Sequence, residues 1–300
     1  MSVVPADAHS FFAGRTLVLV PHPTGETACA GLLQRLRDAL VVFATDGAPA
    51  DAAFWRAYGS RQNYAAVRRV EAMGATSLAG AAGFEFLPDY VTHSQLADQQ
   101  LYRVLPQAFA ALRKLIRRYQ PERLLVPAYE GGHPDHDACS TLGAMVRRHL
   151  GRAMVRRHLG ISVWEMPFYH RSPAGALIFH RFQQRKGSEV MLVLSPHERR
   201  NRAVAAASYR SQHDLPRFLT AAVEHYRLQA EYDYSLPPHP GTVNYQAWEW
   251  PISPAEVCRY LSAGEAGILG KATLASNSLT SNAIQPSSLD LQTSLAAEAQ

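Results

Sequence analysis

The sequence predicts an α/β protein built on a mostly parallel, doubly wound sheet with helices on both faces. Three observations carry this. Short apolar runs of strand length recur through the first 170 residues, helical patterns separate them, and the histidine-bearing segments follow directly on two of the strands. In open α/β sheets ligands bind beyond the C-terminal strand ends, so those segments are where chemistry is expected.

The elements follow in order. TLVLV (16–20) reads as a buried strand, ETACAGLLQRLRD (26–38) as a helix and ALVVFATDG (39–47) as a second strand ending in a turn. A long helix is expected across 60–75, a strand at GFEFL (83–87), a helix over 104–119 and a strand at RLLVPAY (123–129). SVWEMPFY (162–169) and EVMLVLS (189–195) read as strands, and 196–211 and 215–232 as helices. The stretch 235–254, rich in proline and aromatics, reads as an irregular lid or flank. An N-terminal arm is expected at 1–14, one domain at 15–268 and a disordered polar tail at 269–300, whose few large apolar residues do not offset ordering entropy.

Three hundred residues with 47% hydrophobic content suffice for one sizeable core, and a soluble globular protein is expected. The net charge of +5 comes with only three lysines and no basic run interleaved with aromatics, which argues against nucleic acid as a partner. Cys29, Cys139 and Cys258 are odd in number and widely spaced, so neither a disulfide framework nor a cysteine zinc site is expected and a reducing cytoplasm fits best. No secretory pattern opens the chain and no apolar run approaches membrane-spanning length, so no membrane partner is expected.

YEGGHPDHDA (129–138) carries the strongest chemical signal. His133 and His136 offer imidazole nitrogens to zinc, and Asp135 offers an acid to orient them. Asp135 as a helix cap, with the histidines as polar loop residues, is the structural alternative. His22, at a neighbouring strand end in LVLVPHPTGET, favours the metal reading.

With VVFATDGAP between them, these segments resemble the LmbE-like, PIG-L type zinc-dependent N-deacetylases, over residues 15 to 170 and again at RAVAAASYRSQ (202–212). The resemblance implies a Rossmann-like sheet and metal-assisted hydrolysis of an N-acyl group from a small amino-sugar conjugate. It makes His22 and His136 metal ligands, His133 the group that stabilises the tetrahedral intermediate, Asp135 its supporting carboxylate and Glu26 the motif glutamate. It also implies that Tyr209, Ser211 and Gln212 line the pocket. The family motif P-H-P-D-D-E has two aspartates where this chain has Thr24 and Gly25, the positions of the general base and the third metal ligand. Two histidines hold zinc weakly, and a threonine hydroxyl accepts no proton near neutral pH. Zinc or another divalent metal is therefore expected to be weakly held or absent unless another residue replaces the third ligand, with Glu26, Asp46 and Asp137 as candidates for the missing roles. The alternative is a catalytically inactive sugar- or ligand-binding descendant of the fold. A dinucleotide dehydrogenase is disfavoured because no G-x-G-x-x-G follows the first strand.

Arg61 and Tyr129 are candidate substrate contacts, the first as a cation for an anionic group and the second as a hydrogen-bond donor to an oxyanion. A solvated helix face would equally account for Arg61, Arg68 and Arg69. A homo-oligomer is compatible with this reading. AMVRRHLGR (144–152) is followed at once by AMVRRHLG (153–160), a tandem duplication without whose three extra arginines the net charge would be +2. Nine residues make two and a half helical turns, so one straight helix cannot bury both copies on one stripe. Gly151 is therefore expected to end the helix, leaving the second copy separate and partly exposed or poorly ordered.

Overall fold

A computed structural model describes residues 13–92, 96–155, 160–184, 187–212 and 221–281. Its backbone clusters into two units, Met1–Glu265 and Ala266–Gln300. The first contains the sheet.

β1 (Thr16–Val20), β2 (Ala39–Phe43), β3 (Gly83–Phe86), β4 (Arg123–Pro127) and β5 (Ser162–Met166) run parallel, in the spatial order 3-2-1-4-5. β1 sits at the centre, with Leu17 opposite Leu40 on one side and Leu124 on the other. Every residue of β1 and β4 is buried, as strands covered on both faces require. The chain moves outward from β1 to β3 and then crosses back to β4, so the switch point lies between β1 and β4. Their C-terminal ends carry His22 and the 129–138 segment.

Helices form the crossovers between the parallel strands. After β1 a 3-10 turn (Gly25–Cys29) leads into one turn of α1 (Ala30–Leu33), and α2 (Arg61–Leu78) follows β2. Ser60 caps α2 by accepting from the Asn63 N–H at 3.1 Å. α3 (Leu105–Tyr119) and α4 (Pro134–Val155) pack together around β4, and α5 (Pro196–Ala207) packs on α1 and α2. One continuous core joins Val18, Val41 and Phe43 of the sheet to Leu32, Leu33, Ala72 and Ala205 of the helices. β6 (Tyr169–Arg171) and β7 (Leu177–Phe179) form a separate hairpin.

Four expectations are corrected. The helix expected over 26–38 is only the short 3-10 and α1 pair, because the chain must turn back within six residues to begin β2. The helix expected over 215–232 is a strand where it is described. β9 (Val223–Leu228) lies antiparallel between β5 and β8 (Val190–Val193). The segment is rich in helix formers, but its polar side chains find partners far along the chain, on α1 and on β5. Glu224 accepts from the Gly31 and Leu32 N–H groups at 2.8 and 2.9 Å, and Arg227 donates to Glu165 at 2.6 Å. Tertiary pairing overrides propensity here. Third, Gly151 does not end α4, which continues to Val155; a mid-helix glycine costs only about 1 kcal/mol against alanine. Residues 156–159 of the second copy lie outside the described residues. Fourth, the helix α7 (Pro254–Ser281), which follows the single turn α6 (Asn244–Ala247), runs through 269–281, the start of the segment expected to be disordered. Ala, Leu and Lys there favour a helix. Residues 282–300 lie outside the described set. Among the described residues no helix is long and apolar enough to cross a membrane. All three cysteines are buried and free.

Candidate metal and acid–base site

The PHPTGE turn closes tightly after β1. The Gly25 N–H donates to the His22 carbonyl at 3.0 Å, and the Thr24 carbonyl accepts from the Thr27 N–H at 3.1 Å and the Thr27 hydroxyl at 2.5 Å. These bonds hold Thr24 at φ 101°, ψ −27°, a conformation β-branched residues avoid. Gly25 is required by crowding. A Cβ placed there would lie 2.8 Å from the Val20 Cβ and 3.3 Å from the Pro21 Cδ. We therefore expect Gly25→Asp to restore no ligand and to lower unfolding free energy by about 1–3 kcal/mol, measured by urea denaturation.

The second segment is fixed from beneath. Asp137 Oδ1 accepts from the Gly131 and Glu130 N–H groups at 3.0 and 3.2 Å, and burial raises this carboxyl to about 8. Gly132 lets the turn pass the Tyr169 carbonyl, which any Cβ would overlap. α4 then starts at Pro134 and sets His133 and His136 side by side, with ring centroids 5.1 Å apart. Both rings lie near His22, at 5.1 and 5.6 Å. Donor nitrogens of the three histidines all lie within 4.8 Å of one another.

Hydrogen bonds assign the tautomers. His22 Nδ1 faces the Pro23 carbonyl at 3.3 Å, which can only accept, so Nδ1 carries the proton and Nε2 offers a lone pair. His133 Nδ1 accepts from the Asp135 N–H at 3.1 Å, which places its proton on Nε2. Burial lowers the pKa of all three imidazoles, most for His133 and His136. Neutral imidazoles suit a divalent metal, and His22 and His136 are the pair that fits one, since the His133 Nδ1 lone pair is taken by the Asp135 N–H.

Asp98, which no sequence motif marked, completes the cluster. Its Oδ1 lies 3.7 Å from His133 Nε2, and it is buried. Asp135 does not contact the His133 ring through its carboxylate. Its oxygens accept from the Gln99 and Leu101 N–H groups at 2.6 and 2.9 Å. Burial, with neighbouring Asp98, drives the Asp135 carboxyl well up. Burial also pushes Asp98 up, but the facing His22 and His133 outweigh it and hold Asp98 low. Asp135 thus keeps the proton of the pair and Asp98 the charge.

The remaining candidates lie apart from this cluster. Glu26 is fully buried, accepting from Tyr209 Oη at 2.5 Å and from the Thr24 N–H at 3.2 Å. Burial raises its carboxyl to about 7. Arg61 pairs with Asp46 at 2.6 Å, and Tyr129 Oη donates to the Leu236 carbonyl at 2.7 Å. Neither lines the cleft of about 490 Å³ that opens beside His22, Thr24, Gly25 and His136. Ser211 and Gln212 do line it.

The family model described as PIG-L, GlcNAc-PI de-N-acetylase, matches residues 17–146. Solved structures similar to this chain include the zinc-inhibited form of the teicoplanin deacetylase Orf2, at 20% identity and TM-score 0.47, covering 67% of this chain and 85% of that one. The N,N'-diacetylchitobiose deacetylase of Pyrococcus horikoshii matches at 16% identity and TM-score 0.48, covering 77% and 89%. GalB, the 4-carboxy-2-hydroxymuconate hydratase of Pseudomonas putida KT2440, matches at 18% identity and TM-score 0.48, covering 73% and 96%. No curated protein matches the chain in sequence.

Proposed function

We propose, from the match of residues 17–146 to the PIG-L (LmbE-like) family model, that the chain is a metal-dependent hydrolase of an N-acyl group on an amino-sugar conjugate. The observation that carries the reading is the convergence of His22, His133 and His136 at the switch point of the sheet. His22 and His136 would hold the divalent metal through imidazole nitrogens. When bound there, such an ion supplies Lewis-acid polarisation of a carbonyl and acidifies water.

The chain's own residues do the rest. His133 directs its Nε2 proton toward the group that becomes the oxyanion, and the Asp135 N–H fixes that tautomer. Asp98, ionised 3.7 Å from Nε2, takes the acid–base role that Thr24 cannot fill. Glu26 acts through the backbone by holding Thr24, and Asp135 acts through Gln99 and Leu101, which follow Asp98 in the chain. The cytoplasm suits three free, buried cysteines.

One observation favours a second reading, a binding protein on the same fold: position 25 has no side chain and no room for one. Titration of the purified chain with zinc, with acetate release from N-acetylglucosamine conjugates, decides between them. We expect zinc to bind wild type, His136→Ala to weaken it at least tenfold, and chelation to stop acetate release. Zinc binding unaffected by His136→Ala, or conjugates that bind and are never hydrolysed with zinc present, would overturn the hydrolase reading.

A further inference from the structure

We propose that the substrate carries a bulky, uncharged apolar group, aryl or alkyl, that seats in the cleft beside His22 and His136. The proposal rests on the hydrolase reading above and names the kind of substrate it takes.

The cleft lining supports this directly. Among the described lining residues there is no Asp, Glu, Lys or Arg. Phe54, Tyr64, Phe168, Tyr169, Phe179 and Trp248 form an aromatic wall instead. Phe54 and Trp248 are each 41% exposed, large apolar side chains left open to water on the lining of an active-site cleft. Two polar side chains of the lining are already engaged. Ser211 donates to Glu71 through both its N–H and its hydroxyl, at 2.8 and 2.6 Å, and Gln212 donates to Tyr64 Oη at 2.7 Å. A cleft of about 490 Å³ far exceeds what an acetyl methyl fills.

The origin of the wall matters as much as its composition. The family match ends at residue 146, and it supplies His22, Thr24, Gly25 and His136. Phe168, Tyr169, Phe179 and Trp248 lie beyond it, on and beside the β6–β7 hairpin and just after α6. The chemistry therefore comes from the shared segment, and most of the apolar wall comes from segments outside it.

The apolar group could sit on the acyl side or on the amine side of the scissile amide, and binding of three probes to the full-length, zinc-supplied protein separates these. The probes are N-acetylglucosamine, N-octanoylglucosamine and 3-phenylpropyl N-acetyl-β-glucosaminide, followed by calorimetry and tryptophan fluorescence. Each buried methylene contributes roughly fourfold in affinity. We expect at least one extended probe to bind ten or more times tighter than N-acetylglucosamine, and the tighter one identifies the side. Filling the cleft by Leu177→Trp should reduce the gain below threefold. Ala53→Trp, on an exposed site that tolerates the change, does the same if the first variant fails to fold. Extended probes within threefold of N-acetylglucosamine, or a gain that survives filling, would overturn the proposal. Because the readout is binding, a protein that never hydrolyses these compounds disproves the function above and leaves this result interpretable.

Discussion

Replacing His133 with alanine should lower kcat/KM for amide hydrolysis by roughly 10²–10⁴, the range expected when an acid–base group or oxyanion donor is removed. The ring lies beside His22 and His136, the ligands proposed above, and 3.7 Å from Asp98, with its tautomer set by the Asp135 N–H. Zinc stoichiometry should persist, because His22 and His136 remain. Asp98→Asn should produce a smaller loss that falls on kcat rather than KM, since the carboxylate acts through His133 and on the proton of the attacking water. Steady-state kinetics with metal analysis and circular dichroism on each variant checks this. A loss under tenfold for His133→Ala, in a folded and metal-loaded protein, would remove His133 from the reacting centre.

The second large effect is on stability. Glu26 titrates near 7 in the folded protein because burial disfavours its charge, against 4.5 for the free group. Between those values the folded chain keeps a proton that the unfolded chain has released, so stability falls as pH rises from about 4.5 to 7 and levels off above. The full loss is about 3 kcal/mol at 1.36 kcal/mol per unit. Glu26→Gln resembles the protonated acid at every pH. It should therefore match wild type below about pH 4 and exceed it by up to about that amount at pH 8, measured as urea unfolding free energy across the range. A wild-type-minus-variant difference that does not change with pH would show that Glu26 is not buried as the Tyr209 and Thr24 contacts imply.

The same residues show how far the sequence reaches. Alternating apolar runs and helical patterns identified β1 to β5 and the helices α2, α3 and α5, because burial on a strand or a helix stripe repeats with the period of that element. The segments that carry His22, His133 and His136 stood out as motifs instead, and the structure sets them after β1 and β4, on either side of the switch point. Thr24 and Gly25 were legible as departures, since a missing carboxylate is visible in one residue.

What the sequence could not determine is everything that depends on meeting partners far along the chain. β9 reads as helix until Glu224 reaches Gly31 and Leu32, and Arg227 reaches Glu165. Asp98 carries no motif and becomes part of the site only because its loop folds over Asp135. Glu26 stands one residue past the missing ligand, yet its side chain turns away to Tyr209. The aromatic wall gathers Phe54, Tyr169 and Trp248 from three distant segments. Local periodicity encodes which elements form and which residues they bury. The convergence of separate loops, and with it proton placement and cleft chemistry, is decided only when the sheet brings their ends together.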